Sequence, residues 1–185
     1  ARHSKRGTPI DVFRSRLTFP YRSSPDVAPF AFTGRIAGPH TPNTPKYLNT
    51  ASWDGFKKGE HVLGLDQRRD HTRALVLVEG PWDAAAVTAT TNHEWVGVAT
   101  NGTAFTRRQA QHLTDTGLPI IMWTDPDTPG IAAARNAYAT LASLPDAQDV
   151  VGQARLLTTL GHDPSAYTAN FGPDAVRTAL TDATR

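Results

Sequence analysis

Hydrophobic positions follow two different rules along this chain. Over residues 1–72 they come in short alternating runs, such as Arg16-Leu17-Thr18-Phe19 and Phe30-Ala31-Phe32-Thr33, broken by Pro, Gly, Thr and Asn. Alternation of this kind predicts short antiparallel strands and turns, with a helical turn near 51–57. From residue 73 the runs become continuous and regularly spaced. Apolar stretches at 74–78, 95–99, 119–123 and 154–158 read as buried strands. Between and after them, helices are predicted over 82–90, about 106–116, about 129–143 and 173–183. Thr128 is placed as the N-cap of the third helix and Pro129 at its first position. Strands alternating with helices imply βαβ units, hence a parallel sheet with right-handed crossovers. The two regimes meet near 66–73, predicting a mainly-β lobe over 1–72 and an α/β domain over 73–185 that ends in a closing helix.

Charge follows the same division. Residues 1–75 hold 13 Lys/Arg against 6 Asp/Glu, and residues 76–185 hold 6 against 11, so a net charge of +2 conceals a basic half and an acidic half. A basic half attracts polyanions and an acidic half attracts divalent cations, although clustering by chance gives the same count. With 185 residues the chain is long enough to bury a sizeable core. It has no Cys, which excludes disulfides and cysteine-based zinc sites within it and fits a reducing, cytoplasmic setting. No apolar window approaches the length of a membrane span, so no membrane partner is expected. The chain opens on Ala1 rather than Met, which suggests a piece of a longer protein.

The acids carry the candidate chemistry. Glu79 follows the first of the buried strands, Asp125 and Asp127 follow the third, and Asp163 lies beyond the fourth. Ligands of open parallel sheets bind outside the carboxyl ends of the strands, so these acids are expected on one rim. Asp125 and Asp127 are two apart and should point the same way in extended backbone, which Pro126 favours by disfavouring helix at Asp125. Carboxylates so close repel unless a cation lies between them. Mg²⁺ typically takes one or two carboxylates together with water and phosphate oxygens. Asp83, one turn beyond Glu79, is placed to support such a site. The alternative for each acid is a plain helix N-terminus, which favours negative charge without any metal. Gly80 is read as permitting a tight turn, and the Thr100-Asn101-Gly102-Thr103 loop as offering backbone amides to a phosphate. Trp82, Trp95 and Trp123 are read as packing residues, and the seven histidines as structural or surface groups.

At these residues the sequence resembles a known family. Val78-Glu-Gly-Pro-Trp-Asp83, Thr100-Asn-Gly-Thr-Ala-Phe105 and Trp123-Thr-Asp-Pro-Asp-Thr-Pro-Gly130 are similar to the successive motifs of a TOPRIM domain. That fold is shared by bacterial-type primases, type IA and II topoisomerases and some nucleases. Upstream, Phe13-Arg-Ser-Arg-Leu-Thr-Phe-Pro20, Gly34-Arg35, Thr44-Pro-Lys-Tyr-Leu-Asn49, Phe56-Lys-Lys-Gly59 and Leu63-Gly-Leu65 are similar in order and spacing to the catalytic core of bacterial-type DNA primases. Topoisomerases lack that block. The resemblance implies an α/β fold: a TOPRIM Rossmann-like parallel sheet with flanking helices, preceded by a small basic mainly-β lobe.

Further expectations come from the same resemblance. Glu79, Asp125 and Asp127 would be the catalytic and principal metal-binding acids, supported by Asp83 and Asp163. Arg14, Arg16, Arg35, Lys46, Tyr47, Asn49 and Lys57 would line a basic groove for template and nucleotide. The implied activity is template-directed synthesis of short RNA primers on single-stranded DNA, by nucleotidyl transfer using two or more Mg²⁺ or Mn²⁺ ions. Implied partners are the template strand, ribonucleoside triphosphates and the RNA primer, with a replicative helicase and a zinc-binding module elsewhere in the parent protein. Two positions depart from the family pattern. Ser165 stands where a second acid is usual, which puts a third metal position in question, and Pro126 stands where a small flexible residue is common. Two competing readings are a TOPRIM nuclease, which would cut strands without nucleotides, and a nucleic-acid-binding module without catalysis.

Overall fold

A computed structural model describes every residue except 1, 4–5, 40, 42–43, 54, 103, 146, 158–160 and 185. Its first part carries two small antiparallel sheets. β1 (Arg2–His3) pairs with β2 (Pro9–Ile10). β3 (Arg16–Tyr21), β4 (Ala31–Ile36) and β5 (Tyr47–Asn49) form a three-stranded sheet with β4 in the centre. Among the described residues of 51–57 no helical turn forms. Trp53 and Phe56 instead exchange backbone hydrogen bonds of 3.0 and 2.8 Å around Gly55, whose missing side chain leaves room for the Trp53 ring. The helical turns lie just beyond, as 3-10 turns at Lys58–Glu60 and Leu65–Gln67.

A parallel sheet occupies the second part. β6 (Ala74–Val78), β7 (Trp95–Ala99), β8 (Ile120–Met122) and β9 (Arg155–Leu156) lie in the order β7-β6-β8-β9. All five residues of β6 and of β7 are buried. Helices on both faces require this, so the strands read as apolar runs rather than alternations. Residues Ala74, Val76 and Val78 face α1 (Pro81–Thr90) and α5 (Pro164–Ala183), with Val87, Val176 and Leu180 in the same core. The intervening Leu75 and Leu77 face α2 (Arg107–Thr114) and α3 (Thr128–Ala142), with Leu113 and Leu141.

The lobe is built into this core. Tyr21, Phe56 and Leu63 belong to the apolar cluster on the α1 side, and Leu63 exchanges two 3.0 Å backbone hydrogen bonds with Ala99. Several features differ from expectation, among them β9, which is two residues long and exposed where a buried strand over 154–158 is expected. Asp127, not Thr128, caps α3: its Oδ1 accepts from the Gly130 amide at 2.7 Å, and Pro129 falls at the second helical position. A short helix, α4 (Gln148–Gly152), lies before β9. The closing helix begins at Pro164 and is broken at Gly172 (φ 82°) before Pro173, so the predicted 173–183 is its second segment. Of the predicted fourth strand, residue 158 lies outside the described residues. No described helix is long and apolar enough to cross a membrane.

Candidate active site

The strand order decides where the acids meet. The connection from β6 runs outward to β7 and the one from β8 runs the other way to β9, so they part between these two neighbouring strands and open a crevice at their carboxyl ends. Glu79 follows β6 directly and Asp125 emerges just past β8. The Asp125 amide donates to Glu79 Oε1 at 3.2 Å, joining residues 46 apart in sequence. The predicted convergence of Glu79 and Asp125 on one rim is therefore present.

Asp83 and Asp163 join them through α1 and α5. Trp123 Nε1 donates to the His162 carbonyl at 3.0 Å, and the Trp123 ring meets Tyr167 at 5.4 Å, which draws the start of α5 toward the end of β8. Asp163 caps α5, accepting from the Ala166 amide at 2.7 Å and from Ser165 Oγ at 2.8 Å. The Ser165 amide donates to Asp83 Oδ1 at 3.3 Å. Ser165 thus bridges two carboxylates that would otherwise face each other. Gly80 has extended backbone (φ −119°, ψ 156°), so no unusual turn requires it. A Cβ there would lie 3.1 Å from Asp83 Oδ2, a tight approach, and 3.5 Å from Tyr47 Oη, an ordinary contact.

The two sides of the molecule enclose a cleft of about 400 Å³. Its acidic wall carries Glu79, Asp83, Asp125 and Asp163; its other wall carries Thr33, Arg35, Lys46, Tyr47 and Asn49 from β4 and around β5. A larger hollow of about 540 Å³ lies between β3 and α1, but its lining includes one carboxylate, Asp66. The cleft rather than the hollow gathers the acids.

Other predicted groove residues lie elsewhere. Arg14 is exposed and does not line the cleft. Arg16 donates to the carbonyls of Gly34, Lys46 and Pro45 at 3.1, 3.2 and 2.7 Å, tying β3 to the segment before β5. Lys57 pairs with Glu60 at 3.4 Å on the surface. Asp127 is exposed and spends one oxygen on its helix cap, so it does not share the Asp125 position in the cleft. Lys58, an apparent surface charge, donates to the Asn101 carbonyl at 2.9 Å. That bond holds a loop in which Asn101 (φ 59°) and Gly102 (φ 71°) are successively left-handed, and both line the cleft. Thr103, at the end of that loop, lies outside the described residues. Of the lining residues the sequence did not single out, Thr33 was reachable, because it lies two before Arg35 on the same face of β4. Ser165 stands out in the sequence only as a departure from the family pattern.

Mutual repulsion of the acids and their burial dominate the electrostatics of the cleft. Burial pushes the Asp125 carboxyl up, and repulsion from Glu79, Asp163 and Asp127 adds to it, with Lys46 opposing. Burial likewise raises Asp83; Ser165 hydrogen bonding opposes the rise, while Asp163 and Asp125 add to it. Among the described residues none of these acids is in an ion pair. The buried Thr33 Oγ1, Asn49 Oδ1 and Asn101 Oδ1, all on cleft residues, lack hydrogen-bond partners. Among the described residues Trp95 Nε1 and Thr124 Oγ1 are in the same condition away from the cleft lining, so the three cleft atoms mark places for water or a polar ligand.

Comparison with known proteins agrees with this geometry. The family description "DNA primase catalytic core, N-terminal domain" matches residues 1–69, and "Toprim-like" matches residues 76–167. The DNA primase of Pseudomonas aeruginosa is 33% identical over 182 residues, covering 97% of this chain and 26% of that protein. The chain belongs to the bacterial-type DNA primase catalytic-core family. It spans about a quarter of the length of the curated relatives it matches. A crystal structure of a primase domain from Pseudomonas aeruginosa superposes with a TM-score of 0.73 at 30% identity, covering 98% of this chain and 55% of that one. A primase catalytic domain bound to single-stranded DNA gives 0.73 at 28%, covering 98% and 57%.

Membership in this family implies dependence on a divalent metal. The all-oxygen donor set of the acidic wall fits such an ion. Among the described residues no three His, Asp or Glu side chains gather tightly enough to hold an ion unaided. A hard cation of this kind fills its coordination with water and phosphate oxygens and takes one or two carboxylates from the protein.

Proposed function

We propose that this chain is the nucleotidyl-transfer core of a DNA primase, joining ribonucleotides on a single-stranded DNA template to make short RNA primers. The observation that carries the reading is the pairing of two unlike walls across one cleft. Glu79 and Asp125 meet at the switch point of the sheet and face Arg35, Lys46, Tyr47 and Asn49. Glu79, Asp125 and Asp83 would hold Mg²⁺ or Mn²⁺, with Asp163 and Asp127 in supporting positions. Such ions would supply polarisation of an attacking hydroxyl and neutralisation of the charge on a leaving pyrophosphate.

The chain's own residues do the rest. Arg35 and Lys46 take the triphosphate or strand phosphates, one as a planar fork and the other as a point charge. Burial pushes the Tyr47 hydroxyl up from its ordinary value, with the Arg35 charge opposing. Asn49 and Asn101 offer buried oxygens to ribose or base donors. The solved single-strand complex of a related catalytic domain supports a DNA template as the partner. The division into a basic lobe over 1–72 and a TOPRIM domain over 73–185 belongs to the same proposal, as do a helicase and a zinc-binding module in the parent protein.

The test is dinucleotide and primer formation by the parent protein with single-stranded template, ribonucleotides and Mn²⁺. Glu79→Gln and Asp125→Asn should each lower product at least about 100-fold while leaving the fold intact, the scale seen when an electrostatic group is removed from a transition state. Full activity in both variants refutes the role assigned to the acids. Strand cleavage without nucleotides would identify a nuclease instead.

A further inference from the structure

The sequence reads Trp82 as a packing residue, and the structure does not bury it. Its neighbours in kind, Trp95 and Trp123, are 1% and 0% exposed; Trp82 is 42% exposed. It sits at the mouth of α1, between Pro81 and Asp83, both of which line the acidic cleft. The indole is nevertheless held. Phe19 meets it edge-on at 6.2 Å, and the Arg35 guanidinium lies 5.5 Å from its ring centroid. The same guanidinium lies 5.9 Å from the Tyr47 ring, and Lys46 Nζ lies 5.8 Å from that ring on its own account. Rings and cations therefore interleave along one rim: Trp82, Arg35, Tyr47, Lys46.

Among the described residues Arg35 has no carboxylate partner, although four acids stand across the cleft. Its position comes from the two rings and a hydrogen bond with the Tyr47 hydroxyl, which leaves its remaining donors for an anion. A half-exposed indole with such a guanidinium over one face has its opposite face to offer a base, and the guanidinium has a fork to offer its phosphate. Proteins that hold unpaired strands combine these two elements, because every base has a π-face and every nucleotide a phosphate.

We propose that Trp82 is a nucleobase-stacking subsite at the rim of the catalytic cleft, seating an unstacked base whose phosphate is held by Arg35. This rests on the primase reading for the identity of the cleft, and it adds a residue that neither the acid cluster nor the basic wall contains. The base comes either from the strand or from a free nucleoside triphosphate.

Fluorescence separates these cases. Trp53, 53% exposed, is the other surface tryptophan and is first replaced by Phe, leaving Trp82 as the exposed emitter. Titration with an oligothymidylate strand and, separately, with ATP should quench emission in at least one arm, and the responding arm names the source. Trp82→Phe should abolish that quench while keeping most of the affinity, since the smaller ring still stacks. Trp82→Ala should weaken binding about tenfold, the scale of one lost base–aromatic contact. The slope of affinity against salt should not change, because no charge is removed.

The deciding control is a ligand without its base: an abasic strand if the strand arm responds, ribose 5′-triphosphate if the ATP arm responds. Wild type should bind it more weakly than the normal ligand of that arm, and Trp82→Ala should bind both equally. An equal loss on the normal and base-free ligands, or no loss and no quench in either arm, overturns the inference. If the Ala variant fails to fold, Trp82→Leu, which keeps apolar bulk without a ring, decides by the same comparison. Primer synthesis is measured separately on the parent protein. Normal synthesis without Trp82-dependent stacking refutes the subsite alone, and stacking without synthesis refutes the catalytic reading alone.

Discussion

Asp125 and Asp127 stand two residues apart, yet their carboxylates take different surroundings. Asp125 turns into the cleft, where burial and neighbouring acids raise its carboxyl. Asp127 stays outside and caps α3. Substitution separates the two roles that the motif assigns to Asp127. Asp127→Ala should cost about 1 kcal/mol of stability in a thermal melt by removing the cap, while Asp127→Asn should retain it. If Asp127 also supports metal, the Asn variant keeps its melting temperature but loses about 10–100-fold in activity, the range for outer groups around a metal. If it is only a cap, Asp127→Asn is fully active.

Tyr21 gives a second prediction at this scale. Burial raises its hydroxyl to about 12, against a partial lowering by the Asn101 hydrogen bond. The unfolded chain releases this proton near pH 10 and the folded chain retains it, so folding stability falls as pH rises from 10 to about 12 and levels off above. The span corresponds to about 2–3 kcal/mol, given about 1.4 kcal/mol for each unit. Alkaline denaturation should therefore be steeper in wild type than in Tyr21→Phe, even though the variant starts about 1 kcal/mol lower at neutral pH through the lost hydrogen bond. At the residue level, identity was readable and partnership was not. Arg16 and Arg35 look alike as basic residues in short strands, but one is spent on three backbone carbonyls and the other lies between two aromatic rings.

The elements that carry the site are short strands ending in tight turns onto helices. Gly130, buried in the first turn of α3, packs directly on the Asp125 backbone, and a Cβ there would collide with the Asp125 carbonyl oxygen. Gly130→Ala should thus shift the β8–α3 turn, lowering stability by about 1–3 kcal/mol and activity with it. A melt together with primer synthesis checks both, and an unperturbed variant would show that the turn is looser than its packing indicates. Elements with a continuous apolar run were legible: β6, β7 and α1 lie within a residue of expectation. The first half of α5 was not, because Gly172 and Pro173 read as a helix start and obscured the helix ahead of them. Its course depends on contacts that no local pattern encodes, above all the Trp123 indole on His162 and Tyr167.

Across the whole molecule, the lobe and the sheet are joined by shared core rather than by a linker. Tyr21, Phe56 and Leu63 bury against the face of the sheet that α1 and α5 cover. That joint sets the basic wall opposite the acids. Its consequence is measurable in salt titrations of single-strand binding. Lys46→Ala should reduce the slope of log affinity against log salt by about 0.7, the value for one phosphate contact on a single strand. Arg16→Ala should leave that slope unchanged and lower stability instead, since its donors are committed to the backbone. Equal slopes for wild type and Lys46→Ala would remove Lys46 from the phosphate path.

The sequence by itself determined the α/β alternation, the division into basic and acidic halves, and the acids at strand ends. These are local properties: periodicity selects strand or helix, and a carboxylate after a strand is visible in one dimension. Tertiary structure alone decided which acids share a cleft, which cations face them, and that Trp82 stays in water. Those outcomes depend on the strand order β7-β6-β8-β9 and on where the lobe docks. Both are fixed by burial of surfaces distant in the chain, for which no short stretch of residues carries a signature.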